Sequence, residues 1–306
     1  MSKSDLNRER IKGLAGELRT LKQHEVAIAL DFDGVCKLFT PFKHQIMFTG
    51  LFLHAPAFQR APFDALRSAY VLINFRSPKT AGKERFLCVH ALSEYLVAQG
   101  YDCALPGYSK ACRAILGEGK KINAQTLEPY ADDPEVRELL DWSNEVNANV
   151  SKLTEIGLTP GLREHILDPF KGKADFYVVS TATAETLEES MLRDGVDFVL
   201  RYIGQETAGK AEALLAMRGA GYDSAVLFGD SVGDQDAAAL ARDSTSEPDR
   251  IVFAAVIPDE EPGSFEQGNA IVQALLDDDT AGAQSEATTL LDRFAGKGVS
   301  VDFMSA

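Results

Sequence analysis

The chain has 306 residues, 45% of them hydrophobic and 25% charged, which is an ordinary globular composition with enough length for one large core or two smaller ones. Its formal net charge of -15 excludes a broad nucleic-acid surface or an anionic-membrane surface, since either needs an extended basic field. An anionic ligand on such a chain has to be held by a local cluster of cations.

Residues 1–24 carry Ile11, Leu14, Leu18 and Leu21 at helical spacing among charges, which predicts an amphipathic helix and not an export signal. The longest nearly apolar stretch, residues 46–53, is too short to cross a membrane. The four cysteines, Cys36, Cys88, Cys103 and Cys112, form no CxxC pair, and the five histidines show no metal-site spacing with them. A reduced, cytoplasmic protein is expected on that pattern, with Cys36 as a small apolar core residue.

Four short runs rich in Val, Ile, Phe and Leu predict buried strands at residues 25–30, 174–180, 225–229 and 250–257, with a weaker fifth at 198–203. Helical patterns alternate with them: 184–193 closed by Gly195, and 210–218 closed by Gly219 or Gly221. That alternation predicts an α/β fold, a parallel sheet flanked by helices, with ligands bound beyond the carboxyl ends of the strands.

Residues 37–158 differ, having no strand of that quality and several helical patterns in succession. Phe63, Leu66, Tyr70 and Val71 mark one helix face, and Phe86, Val89, Tyr95 and Leu96 another. Asp133 and Pro134 read as the N-cap and first position of a third helix through Val146, Val150 and Leu153. Thr159 and Pro160 read as the start of a helix leading back to the strand at 174. Beyond the helix through Ile271, Leu275 and Leu276 comes an acidic knot, Asp277 to Asp279. Residues 281–306 are expected to be a loosely ordered tail with a short helix near Leu290 and Leu291.

Four motifs follow one another at strand tips or helix starts. The first is Asp31-Phe32-Asp33-Gly34-Val35. If strand alternation continues, the two acids point to one side; at an effective dielectric of about 20, two charges roughly 4 Å apart repel by about 4 kcal/mol. A positive partner must share that anionic cup, and a divalent cation is its natural guest. The second is Ser180 with Thr181, hydroxyls before a helix that suit a phosphate oxygen, or alternatively a plain helix cap. The third is Lys210, a cation opening a helix against the macrodipole, or alternatively a solvated surface lysine. The fourth is Gly229-Asp230-Ser231-Val232-Gly233-Asp234, acids at another strand tip with glycines that allow close approach; Asp230 also suits an N-cap.

Together these motifs resemble those of the haloacid dehalogenase-like hydrolase superfamily, mostly magnesium-dependent phosphatases. The resemblance covers about 160 residues. It implies a Rossmann-like core over 1–36 and 159–280, with 37–158 as a helical cap domain that selects substrate. By resemblance, Asp31 is the nucleophile that forms a phosphoaspartate, and Asp33 protonates the leaving group and then activates water. Ser180, with Thr181 and Gly34, binds the substrate phosphate. Lys210 steadies the nucleophile and the phosphoryl charge. Asp230 and Asp234, with Asp31 and Asp33, hold Mg2+.

An acid at position 33 favours cleavage of a phosphoryl-oxygen bond, since a halide leaving group needs no proton. The resemblance thus implies a Mg2+-dependent phosphoric monoester hydrolase whose partner is a small phosphorylated substrate, with neither nucleic acid nor membrane. A sugar phosphomutase of the same superfamily and a non-enzymatic binding or regulatory protein are the alternatives. Arg76, Lys79, Lys83 and Arg85, with Lys37 and Lys43, are candidate cations for an anionic substrate. Cys36, Lys37 and Leu38 depart from common family usage after Val35.

Overall fold

Five short runs form one all-parallel sheet: β1 Val26–Leu30, β2 Asp175–Val179, β3 Val199–Ile203, β4 Ser224–Gly229 and β5 Ile251–Ala255. The computed structural model describes residues 6–77, 79–80, 83–150, 152–153, 156–204, 206–257 and 260–297. β1, β2, β4 and β5 are buried along their whole length, so both faces need apolar side chains and the sequence shows continuous runs. The edge strand β3 is half-buried from Val199 to Arg201, which is why its pattern is weaker.

The strand order is β3-β2-β1-β4-β5. From β1 the chain builds outward through β2 to β3, then crosses to place β4 and β5 on the other side. β1 and β4 therefore flank a topological switch point, where ligands of open parallel sheets bind. Their register sets Leu30 opposite Phe228 and so brings the two strand tips level.

The N-terminal helix Arg8–Leu21 is tied to the helix Lys210–Ala220 through buried Glu212, which accepts from the Asn7 and Gly209 amides at 2.9 and 3.0 Å and pairs with Arg10 at 3.1 Å. The acidic knot is the start of a helix, Thr280–Lys297: Asp279 accepts the Gly282 amide at 2.8 Å, and Asp278 turns the chain at φ 59°. Residues 281–297 are thus not a loose tail, because Ala283, Ala287, Leu290 and Phe294 enter the sheet core. Alanines carry little apolar signal, so half of that stripe was invisible in the sequence. Residues 298–306 of the expected tail lie outside the described residues. Among the described residues no helix is long and apolar enough to cross a membrane.

The chain divides into two units, residues 6–39 with 156–297, and residues 40–153. Residues 37–39 and 156–158, expected in the insert, belong to the sheet unit. Backbone bonds hold them there: Lys37 N to Phe32 O at 2.9 Å and Thr159 N to Cys36 O at 3.0 Å. Among the described residues the Thr159 hydroxyl has no partner, so it does not cap the returning helical segment; its carbonyl, accepting Leu162 N at 3.1 Å, starts that segment instead.

The second unit is helical throughout its described residues, with its own core around Trp142, Tyr70, Tyr108 and Phe58. Asp133 caps the helix Pro134–Val150, accepting Glu135 N at 2.9 Å. The helix Phe39–His54 escapes sequence reading because apolar residues lie around most of its circumference, with Phe42 and Leu53 exposed.

At the amino end of the sheet, buried Asp175 accepts the Gln23 and His24 amides at 2.7 and 3.2 Å and the Tyr222 hydroxyl at 2.6 Å, and lies 2.7 Å from His24 Nδ1. Asp175→Ala should lower the unfolding free energy by about 3 kcal/mol, because it leaves several buried donors unpaired. A urea titration with a reduced midpoint and unchanged slope is the expected result.

Candidate active site

Asp31 directly follows β1, and its amide donates to Phe228 O of β4 at 3.0 Å. The neighbouring tip of β4 leads into Asp230. Four residues further on, Asp234 sits in the first turn of the helix Val232–Asp243 and is 1% exposed. One carboxylate oxygen each from Asp31, Asp230 and Asp234 lies within 4.8 Å of the other two.

Lys210, the first residue of its helix, brings its ammonium to 2.8 Å from Asp31 Oδ1 and also pairs with Asp234. Two ion pairs thus offset the unfavourable position of a cation at a helix start. The solvated-lysine alternative does not hold, and Lys210 is the cation that the acidic cup requires.

The cap alternatives fail as well, because other residues cap these helices. Thr183 caps Ala184–Arg193, its hydroxyl accepting Thr186 N at 3.4 Å. Ser180 and Thr181 are left at the tip of β2, Ser180 buried with its hydroxyl 3.3 Å from Ala182 N and Thr181 exposed. Ser231 caps Val232–Asp243, leaving Asp230 without that duty. Ser231 is also a site residue that sequence reading left without a role. Its hydroxyl donates to Asp234 Oδ2 at 2.7 Å and its amide reaches the same oxygen at 3.2 Å, so the carboxylate is held fast. A serine three residues before an acid at a helix start is the capping-box signature that could have flagged it.

Gly34 is required by space as well as by its φ of 89°: a Cβ there would lie 1.8 Å from Asp230 Oδ2. Asp33 is where the expected geometry breaks down. β1 ends at Leu30, and residues 31–37 turn through Cys36 N to Asp31 O at 3.2 Å and Gly34 N to Lys37 O at 2.6 Å. Strand alternation therefore stops before Asp33, and its carboxylate is not among the three that converge. Lys37, expected to meet an anionic substrate, is instead buried and ion-paired with Asp194. In the second unit, Arg85 bonds Ser143 O at 3.3 Å, and Lys79 and Lys83 are exposed. The side chain of Arg76 lies outside the described residues.

Electrostatics follow from this crowding. Burial pushes the Asp31 carboxyl up to about 7; Lys210 opposes that, and Asp234 and Asp33 add to it. Burial, then Asp31 and Asp234, hold Asp230 well above the usual carboxylate range. Burial works against the charge on Lys210, but Asp31 and Asp234 outweigh it and raise its pKa. Cys36 is wholly buried, and burial and Asp31 keep its thiol protonated.

Three carboxylates against one ammonium leave the cup short of positive charge. Hard oxygen donors spread over no more than 4.8 Å fit a divalent cation, whose ligands at about 2.1 to 2.4 Å lie up to about 4.2 to 4.8 Å apart.

No family model matches the chain, and no curated protein matches it. Among solved structures it is similar to a HAD-superfamily hydrolase, subfamily IA, variant 1, from Geobacter sulfurreducens, with 16% identity over 76% of this chain and 87% of that one, and a TM-score of 0.36. At that score the likeness carries no argument about activity.

Metal-free Asp230→Asn should melt higher than metal-free wild type, because the burial and neighbouring acids that disfavour ionisation of Asp230 no longer act on a titratable group. MgCl2 at a hundred times its dissociation constant should stabilise wild type by about 2.7 kcal/mol, or about 2 to 4 °C per kcal/mol. The variant should lose that response, as read by thermal melts with MgCl2 and with EDTA.

Proposed function

We propose that this chain is a haloacid dehalogenase-like hydrolase, a Mg2+-dependent phosphoric monoester hydrolase that acts on a small phosphorylated metabolite through an aspartyl-phosphate. The observation that carries the reading is the carboxylate of Asp31, paired with Lys210 and set between two further acids at the switch point of the sheet. An isolated structural ion pair has no need of the additional acids Asp230 and Asp234.

In this reading Asp31 attacks phosphorus in line with the leaving oxygen. Its oxygen-phosphorus bond forms as the ester bond breaks, and Asp33 gives its proton to the departing alkoxide. Asp33 then takes a proton from a water that attacks the same phosphorus, which frees inorganic phosphate and restores the Asp31 carboxylate. Lys210 neutralises charge on the nucleophile and on the transferring group, so that an anion can approach an anion. Ser180 and Thr181 supply donors to the phosphoryl oxygens; the Gly34 amide, expected to join them, is given to Lys37 O at 2.6 Å. Bound by Asp31, Asp230 and Asp234, Mg2+ would supply the remaining positive charge and orient the phosphoryl group.

Phosphate release from an aryl phosphate with MgCl2 tests this. Wild type should turn over, Asp31→Asn should lose at least about 1,000-fold in kcat, and Lys210→Met or Asp33→Asn about 100-fold or more. Silence of wild type across sugar phosphates, nucleotides, phosphorylated acids and aryl phosphates in the presence of Mg2+ would sink the reading.

A further inference from the structure

Lys37 is only 1% exposed, a rare place for an ammonium. Its Nζ pairs with Asp194 and donates to Ile156 O at 2.8 Å. Asp194 follows the helix Ala184–Arg193, and its carbonyl accepts Arg163 Nη2 at 2.6 Å. The Lys37 backbone is engaged as well: its amide donates to Phe32 O at 2.9 Å and its carbonyl accepts from Gly34 N at 2.6 Å. Next to it, Cys36 O accepts Thr159 N at 3.0 Å.

One side chain therefore joins three segments of the sheet unit: the turn that carries Asp33 and Gly34, the returning chain at 156–159, and the end of the helix after β2. A buried ion pair rarely stabilises more than apolar residues of the same volume would, so its presence calls for a geometric reason. Such a reason is available. Asp33 stands on a turn, where strand alternation cannot aim it, and a group that moves protons needs its support fixed to within about 0.5 Å.

We propose that Lys37 is a positioning residue, which clamps the turn 33–37 to Asp194 and Ile156 and thereby holds Asp33 in place for proton transfer. This rests on the phosphatase reading for the role of Asp33, while the clamp itself stands on the contacts.

Two measurements on the full chain with MgCl2 test it, using Lys37→Met and, in case the unpaired Asp194 prevents folding, Lys37→Met with Asp194→Leu, which leaves no buried charge alone. The first is amide hydrogen exchange. The amides at 34, 37 and 159 should exchange at least about tenfold faster, while those of β1 and β4 keep their protection. Wild-type protection at all three overturns the clamp.

The second compares kcat/KM, which reports the phosphorylation step and not the later attack of water, on an alkyl phosphate, whose leaving group needs a proton, and on an aryl phosphate, whose leaving group needs little. The loss in kcat/KM should be about tenfold or more greater for the alkyl ester, and Asp33→Asn should show the same pattern more strongly. Equal losses on both esters, such as a general weakening of the fold produces, overturn the positioning role. If wild type hydrolyses neither ester, the phosphatase reading falls and hydrogen exchange alone decides the clamp.

Discussion

The site depends on the Lys210 ammonium lying between Asp31 and Asp234. At an effective dielectric of about 20, each pair of charges near 4 Å is worth about 4 kcal/mol. With all three acids ionised, three mutual repulsions would face two close attractions to the lysine, which together with burial is why the Asp31 and Asp230 carboxyls are pushed up. The acids cannot relieve this by moving apart, since β1 and β4 are paired from Val26 opposite Ser224 to Leu30 opposite Phe228 within a fully buried sheet. The rigidity of the core is what keeps the electrostatic demand at the strand tips unmet, and an unmet demand of that sign suits a cation.

The fold meets its ordinary obligations with other residues. Thr183 and Ser231 cap the two helices that begin beside the site, and Glu212 secures the start of the helix that Lys210 opens. Asp31, Asp230 and Lys210 are left with no local structural duty that explains their identity. Departures from local preference concentrated at one place mark a functional site more surely than any single residue type. Ser231 serves both demands, since its cap geometry also fixes the oxygen of Asp234.

What the sequence reveals follows from which forces are local. Strands buried on both faces must be apolar throughout, so four stood out as continuous runs and the half-buried β3 as a weaker one, all to within about two residues, and Asp31, Asp230 and Lys210 stood out because each breaks a pattern at a strand tip or helix start. Asp33 could not be placed by strand alternation, because the turn after Leu30 is held by backbone bonds from residues 36 and 37 back to 31 and 32, which leave no side-chain signature. Lys37 read as a surface cation because its partner Asp194 lies far away in sequence. The final helix was legible only as a short piece near Leu290 and Leu291, because its buried stripe includes Ala283 and Ala287.

The connectivity gives the misplaced residues a common meaning. The chain passes from the sheet unit into the second unit just after residue 39 and is back in the sheet unit by residue 156. Both crossings therefore adjoin the segments that Lys37 joins, and the outgoing one begins six residues after Asp33. In the proposed reaction Asp33, which exchanges a proton with groups on phosphorus, is thus carried on the covalent link to a separate folded unit, where rearrangement of the link would otherwise reach it directly. A buried lysine held by a carboxylate and a carbonyl of the sheet unit anchors that link on the side of the chemistry. In the proposed mechanism, that anchor is how a loop outside the sheet can carry a proton-transfer residue as firmly placed as Asp31.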